Sequence, residues 1–162
     1  MEGDPNADNG AQVRDGIKFL ADTGVCPESL WPYDQANLFA IPSPAAYAAA
    51  SAHKITAYYR LVSLDDMRHC LAQGFPFVFG TILYTSFMSD AVAANGVVGM
   101  PQPNDTEEGG HCMYCVGYDD IKKLFTVVNS WGNSWGDKGR CYMPYDYLGN
   151  PNLTDDIWTI RK

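Results

Sequence analysis

The residues of this chain whose types and spacing suit chemistry are Gly109-Gly110-His111 and, eighteen positions past the histidine, Asn129-Ser130-Trp131-Gly132-Asn133-Ser134-Trp135-Gly136. The histidine heads one apolar run and the asparagine ends the next, with turn chemistry at Asp119-Asp120 between them. Strands paired across such a turn bring the two side chains together. The expected contact is the Asn129 amide oxygen accepting the Nδ1–H of His111, which fixes the tautomer and aims Nε2 at a nucleophile. Either residue alone reads more plainly as a satisfied core histidine or a strand-end asparagine. Together they read as a general base and its orienting group. No nucleophile accompanies them. Pro27 follows Cys26, so nothing there suggests the helix N-terminus that lowers a thiol pKa. Cys112 is chained to His111, and strand alternation points it away from the imidazole.

Gly110-His111 through Val116-Gly117-Tyr118, followed by Val128-Asn129-Ser130-Trp131-Gly132-x-x-Trp135-Gly136-x-x-Gly139, resembles the C-terminal half of a papain-like cysteine peptidase. Upstream, Gly24-Val25-Cys26-Pro27-Glu28-Ser29-Leu30-Trp31-Pro32-Tyr33 resembles the segment leading into that half. The resemblance implies that His111 and Asn129 are catalytic. It implies that Trp131 covers the His–Asn hydrogen bond against water and that Trp135 lines the leaving-group side of the cleft, the plain alternative for both being core packing. Gly110 stands where many relatives carry Asp or Asn, which bears on the pH range of a thiolate–imidazolium pair. Phe77, Val78, Gly80 and Cys112 are implied as substrate-binding residues, bordering the subsite for the side chain second before the scissile bond. That wall is apolar, so a hydrophobic residue is expected there.

In this family the nucleophilic cysteine lies in a Cys-Gly-Ser-Cys-Trp-like context well ahead of the histidine, with an oxyanion-hole glutamine just before it. Nothing similar occurs before Cys26, so the chain resembles the family with its front end missing. The expected function is cysteine-type peptide hydrolysis through a Cys-His-Asn site, with these residues inactive by themselves. The expected partners are a peptide or protein substrate and either the missing N-terminal half or a self-association partner. No cofactor is implied. The alternative is a non-catalytic, peptidase-derived binding protein whose apolar half-cleft is covered by a partner.

Composition agrees with a folded unit. The 162 residues are 46% apolar with abundant aromatics, enough for one well-buried core. A net charge of −8 and no Lys/Arg-rich run argue against nucleic acid. The chain as given shows no export signal and no membrane-spanning stretch. Its five cysteines cannot all pair with one another, which mildly favours a reducing compartment. Cys112-x-x-Cys115 beside His111 raises a zinc site. Residues three apart on a strand face opposite ways, however, and no second Cys/His pair lies near, so small apolar strand residues are the better reading. Asp119-Asp120 and Asp155-Asp156 read as solvated turn and strand-end pairs rather than catalytic carboxylates.

The elements that must position these residues form an α+β chain, with helices first and antiparallel strands after. The expected helices run from about Ala11 to Thr23, capped by Asp8 or Asn9 and stopped at Gly24, from Ser43-Pro44 to about His53, and from Leu64 to Gln73 behind a Ser63 cap. Expected strands are Ile55 to Leu61, Phe75 to Leu83, Gly110 to Tyr118, Leu124 to Asn129, Arg140 to Met143 and Asp156 to Ile160. One domain spans 1–162, with a helical and loop segment over about 1–54 and a β lobe resembling the family's partly open barrel over about 55–162.

Overall fold

The structure is a computed structural model that describes residues 10–37 and 39–162. The described residues divide into two compact units, one running to residue 58 and including 160–162, the other residues 59–159.

In the first unit, α1 (Val13–Asp22) buries Ile17. Its N-cap is Gln12, which makes no side-chain capping bond; the anticipated caps Asp8 and Asn9 lie outside the described residues. Gly24 ends the helix for a steric reason. Its φ is +91°, and a Cβ there would collide with the Ala50 carbonyl. The helix α2 (Pro44–Ala50) starts as expected, with Ser43 Oγ accepting the Ala46 N–H at 3.2 Å and proline at the first turn, and buries Ala46 and Ala50.

The strands are β1 (Ala57–Arg60), β2 (Phe77–Tyr84), β3 (Glu107–Asp119), β4 (Leu124–Val128), β5 (Arg140–Pro144) and β6 (Thr154–Arg161), and β2 to β5 lie wholly in the second unit. Their order is β1-β6-β2-β3-β4-β5. The pairs β2–β6, β2–β3, β3–β4 and β4–β5 are antiparallel. Alternation assigns one face to the core. Phe77, Phe79, Thr81 and Leu83 of β2 are buried with Met113 and Cys115 of β3, Phe125 and Val127 of β4, and Cys141 and Met143 of β5. The Phe77 ring meets Phe79 at 5.9 Å and Phe125 edge-on at 6.0 Å. Each fully buried ring contributes on the order of 2–3 kcal/mol by leaving water.

The core is closed by α3 (Leu64–Ala72), through Met67 and Cys70, and by α5 (Tyr145–Leu148), through Tyr145, Tyr147 and Leu148. Ser63 Oγ accepts the Asp66 N–H at 3.1 Å while Asp66 Oδ2 accepts the Val62 N–H at 3.1 Å, a reciprocal cap that starts α3. Buried hydroxyls are satisfied. Thr81 donates to the Leu153 carbonyl at 2.9 Å, Thr159 to Pro76 at 2.8 Å and Tyr147 to Ile82 at 2.7 Å. Two short helices were not anticipated, α5 and α4 (Asp90–Asn95). Four to six residues are too few to show a helical period.

Candidate active site

Register and alternation place the histidine and the asparagine together. On β3, His111 pairs with Thr81 and shares the buried face with Met113 and Cys115. On β4, Val127 pairs with Cys115 and Val128 with Tyr114. Continuing one step past Val128 sets Asn129 level with Met113, one same-face step from His111. The Asn129 N–H donates to the Gly139 carbonyl at 2.9 Å, which holds the residue beside the sheet after the strand has ended. The two side chains meet at 2.9 Å, between His111 Nε2 and Asn129 Oδ1.

That contact corrects the expected orientation of the ring. Asn129 Oδ1 also accepts the backbone N–H of Ser130 at 2.8 Å, so this atom is the amide oxygen and a pure acceptor. His111 Nε2 must therefore carry the hydrogen. In the neutral ring Nδ1 then holds the lone pair, and it makes no hydrogen bond among the described residues. The basic nitrogen is Nδ1, where Nε2 was anticipated, because strand geometry brings the far ring nitrogen to the asparagine. Asn129 itself is 8% exposed, and its Nδ2 is buried without a hydrogen-bond partner.

Aromatic rings enclose the pair on one side. Trp131 lies 5.1 Å from the His111 ring, tilted by 32°. Trp135 packs edge-on to Trp131 at 5.1 Å and against the core cluster. Phe87, which carried no signal in the sequence beyond an aromatic residue after Thr85-Ser86, is 1% exposed and touches both tryptophans. The tryptophan loop is tied to α4 by the backbone, Gly136 N–H donating to Ala93 at 2.7 Å and Tyr142 N–H to Gly96 at 2.7 Å. Gly136 has φ +59°, and a Cβ there would strike the Arg140 carbonyl, so this turn requires glycine. Gly110 has a φ outside the left-handed region, and a Cβ there would find nothing within 4 Å.

The anticipated substrate wall splits between the two faces of β2. Phe77 is 1% exposed and packed in the core, so it is removed from the cleft wall; alternation turns it inward. Val78 and Gly80 are half-buried on the opposite face, and Gly80 pairs with Cys112. Cys112 is exposed while Cys115 is fully buried, the opposed orientation expected of strand residues three apart. Partial burial pushes the Cys112 thiol pKa up, and the negative Asp156 carboxylate adds to it. Among the described residues, no group of three or more His, Cys, Asp or Glu is placed to hold a metal ion. An open depression of ≈ 610 Å³, lined in part by Asn129, Ser130, Lys138 and Arg140, lies beside the pair.

The α+β fold that holds His111 beside Asn129 and Trp131 is shared with papain-like proteins. The sequence profile of the papain family cysteine proteases matches residues 4–156. The chain belongs to that family. It is 39% identical, over its whole length, to an uncharacterised peptidase C1-like protein of Acanthamoeba polyphaga mimivirus, covering 55% of that protein. It is 29% identical to a cathepsin B-like protein of Giardia intestinalis, with 81% of this chain covering 45% of that one. Among solved structures, the cysteine protease xylellain from Xylella fastidiosa superposes with a TM-score of 0.92 at 42% identity, covering 99% of this chain and 65% of that one. Digestive procathepsin L 3 of Tenebrio molitor larval midgut superposes with a TM-score of 0.70 at 16% identity over 95% of this chain and 49% of that one, a likeness of fold. The chain spans about half the length of the curated relatives it matches.

Proposed function

We propose that these residues furnish the base and the orienting amide of a Cys-His-Asn peptidase site, and that the attacking thiol comes from a segment outside the 162 residues. The observation that carries this reading is the pair of hydrogen bonds on Asn129 Oδ1, which leaves His111 Nδ1 as a free base beneath Trp131. In the proposed reaction Nδ1 takes the proton of the thiol, and the thiolate sulfur adds to the carbonyl carbon of the scissile peptide. The Nδ1–H then protonates the leaving amine nitrogen as the C–N bond breaks, giving a thioester. Nδ1 next takes a proton from water, whose oxygen attacks the thioester carbonyl, and the acid and the thiol are released. The asparagine keeps Nε2–H engaged throughout and disperses the imidazolium charge.

The cysteines of the chain support a thiol from elsewhere. Cys70, Cys115 and Cys141 are buried, and burial pushes the Cys141 thiol up to about 12. Cys112 faces away from His111, and Cys26 sits in an irregular segment before Pro27. Val78, Gly80 and Cys112 remain the proposed substrate wall, and their apolar character supports a hydrophobic residue second before the cleaved bond. The test is hydrolysis of a fluorogenic peptide with a hydrophobic residue at that position, together with titration by an epoxide that traps active-site thiolates. The 162 residues alone are expected to show no turnover and no labelling. Turnover abolished by Cys26→Ala would overturn the reading.

A further inference from the structure

We propose that the open depression of ≈ 610 Å³ beside Asn129 is an oxyanion-binding site, in which Lys138 and Arg140 hold a carboxylate or phosphate group. This goes beyond the base-and-amide reading and does not depend on it. The chain carries 11 Lys and Arg against 19 Asp and Glu, so a concave surface with cations and no carboxylate runs against its average. Lys138 and Arg140 both line the depression, and among the described residues no acidic side chain joins them there. Neither takes part in an ion pair among the described residues. Asp137 precedes Lys138 in the chain, but its carboxylate is engaged by the Tyr142 hydroxyl at 2.6 Å.

Backbone bonds fix where the two charges stand. Arg140 is the register partner of Val128 at the end of β4. The Asp137 N–H donates to the Arg140 carbonyl at 2.9 Å and the Arg140 N–H to the Asp137 carbonyl at 3.1 Å, which closes a tight turn around Lys138. Gly139 ties this turn to both neighbours, its N–H donating to Trp135 at 2.8 Å and its carbonyl accepting the Asn129 N–H at 2.9 Å. Lys138 has φ +54°, a left-handed conformation uncommon outside glycine, so the turn sets the direction in which this lysine leaves the chain. A ligand therefore meets a framework that is already ordered, and it bears only the cost of fixing two side chains.

A second observation points to an anion. Asn129 forms part of the wall of the depression, is 8% exposed, and has an Nδ2 donor buried without a hydrogen-bond partner. Its Oδ1 is occupied by two donors, so the amide presents an unanswered positive end, which favours negative charge nearby. Ser130 and Asn133 add a hydroxyl and an amide to the lining. A guanidinium offers a planar fork that fits the two oxygens of a carboxylate or phosphate, and the ammonium adds a compact charge beside it. A concave surface concentrates the field of both. The volume falls among small-ligand sites of about 300–1,000 Å³, so the anionic group can be carried by a peptide or be a free phosphate.

The experiment is an amide NMR titration of the 162-residue chain at low ionic strength, where screening is weakest. One arm adds inorganic phosphate; the other adds acetyl-Ala-Glu-amide, with acetyl-Ala-Gln-amide as its neutral counterpart. Sodium chloride at matched ionic strength is the blank. The backbone amides of Ser130, Asn133 and Gly139 should shift together along one saturating curve. Saturation by phosphate alone supports the site and identifies a free anion; saturation by the Glu peptide and not by the Gln peptide supports it and identifies a peptide carboxylate. Lys138→Gln and Arg140→Gln should each weaken binding about tenfold, the loss of one charge-assisted contact. The control is Lys122→Gln, at a lysine outside the depression that faces Asp119 at 3.7 Å, and it should leave the curve unchanged. Should Arg140→Gln fail to fold, as judged by its amide dispersion, Lys138→Gln carries the comparison. Shifts that never saturate in either arm, an equal response to chloride, undiminished binding in the folded variants, or an equal loss in Lys122→Gln overturns the proposal.

Discussion

Replacing Asn129 by alanine should barely change stability while abolishing the tautomer preference of His111. Asn129 Oδ1 receives two hydrogen bonds, from His111 Nε2 at 2.9 Å and from Ser130 N–H at 2.8 Å. Each contributes about 1 kcal/mol net, so alanine forfeits about 2 kcal/mol. Against this stands the Nδ2 amide, buried with no partner, whose desolvation costs roughly 1–3 kcal/mol and is relieved by the same substitution. The two nearly cancel. Asn129→Ala is expected within about 1 kcal/mol of wild type, a midpoint shift of no more than about 4 °C for a chain of this size. Phe79→Ala, at a ring with no exposure, should by contrast cost about 3–5 kcal/mol. The assay is thermal and urea unfolding of both variants, paired with the 15N spectrum of the His111 ring. A loss above about 3 kcal/mol for Asn129→Ala would refute the reasoning. An unchanged tautomer would refute it from the other side.

Two further outcomes are expected. The guanidinium of Arg68, bonded to Asp120 at 2.9 Å, and the Tyr145 hydroxyl at 3.0 Å hold the Asp120 carboxyl below its ordinary value. The stability this adds is present above the unfolded carboxyl value of about 4 and is lost as pH falls through the lowered folded value. Acid unfolding should therefore be shallower in Asp120→Asn, and salt should narrow the difference because the pair is partly exposed. In native protein a disulfide reagent should modify only Cys26 and Cys112, with all five thiols reacting once the chain is unfolded. Cys112 should be the slower of the two, since burial and Asp156 disfavour its thiolate; rapid native labelling of Cys115 or Cys141 would contradict the packing.

Strand alternation and helix caps are legible in this sequence, whereas strand ends and ring orientation are not. The alternation of Phe77, Phe79, Thr81 and Leu83 reads directly as a one-sided strand, and Ser43-Pro44 and Ser63 read as helix starts, because each signal is a side chain doing one local job. The same alternation turns Phe77 into the core and Val78 and Gly80 to the other face of β2. Except for the starts of β4 and β5, the strand ends differ by one to three residues from expectation, β3 starting at Glu107 rather than Gly110, because pairing to Tyr84 extends it and pairing partners are remote in sequence. Phe87 was invisible for a related reason. Nothing near it in the chain repeats, and its ring contacts are with two tryptophans more than forty residues away.

The choice of ring nitrogen shows how far such reading reaches. Motif and strand order are enough to bring His111 to Asn129, since both lie on the core side of neighbouring strands. They do not say which nitrogen arrives first, because χ angles, not sequence spacing, decide that. The decision is made by a backbone group outside both strands. The Ser130 N–H occupies Asn129 Oδ1 from the chain side, so the amide cannot turn over, and its oxygen faces His111. Only a ring with hydrogen on Nε2 satisfies that oxygen, and Nδ1 is left to act on whatever thiol is brought to it. The donor that selects the base is thus the residue immediately after the asparagine, held by the turn that also carries Trp131.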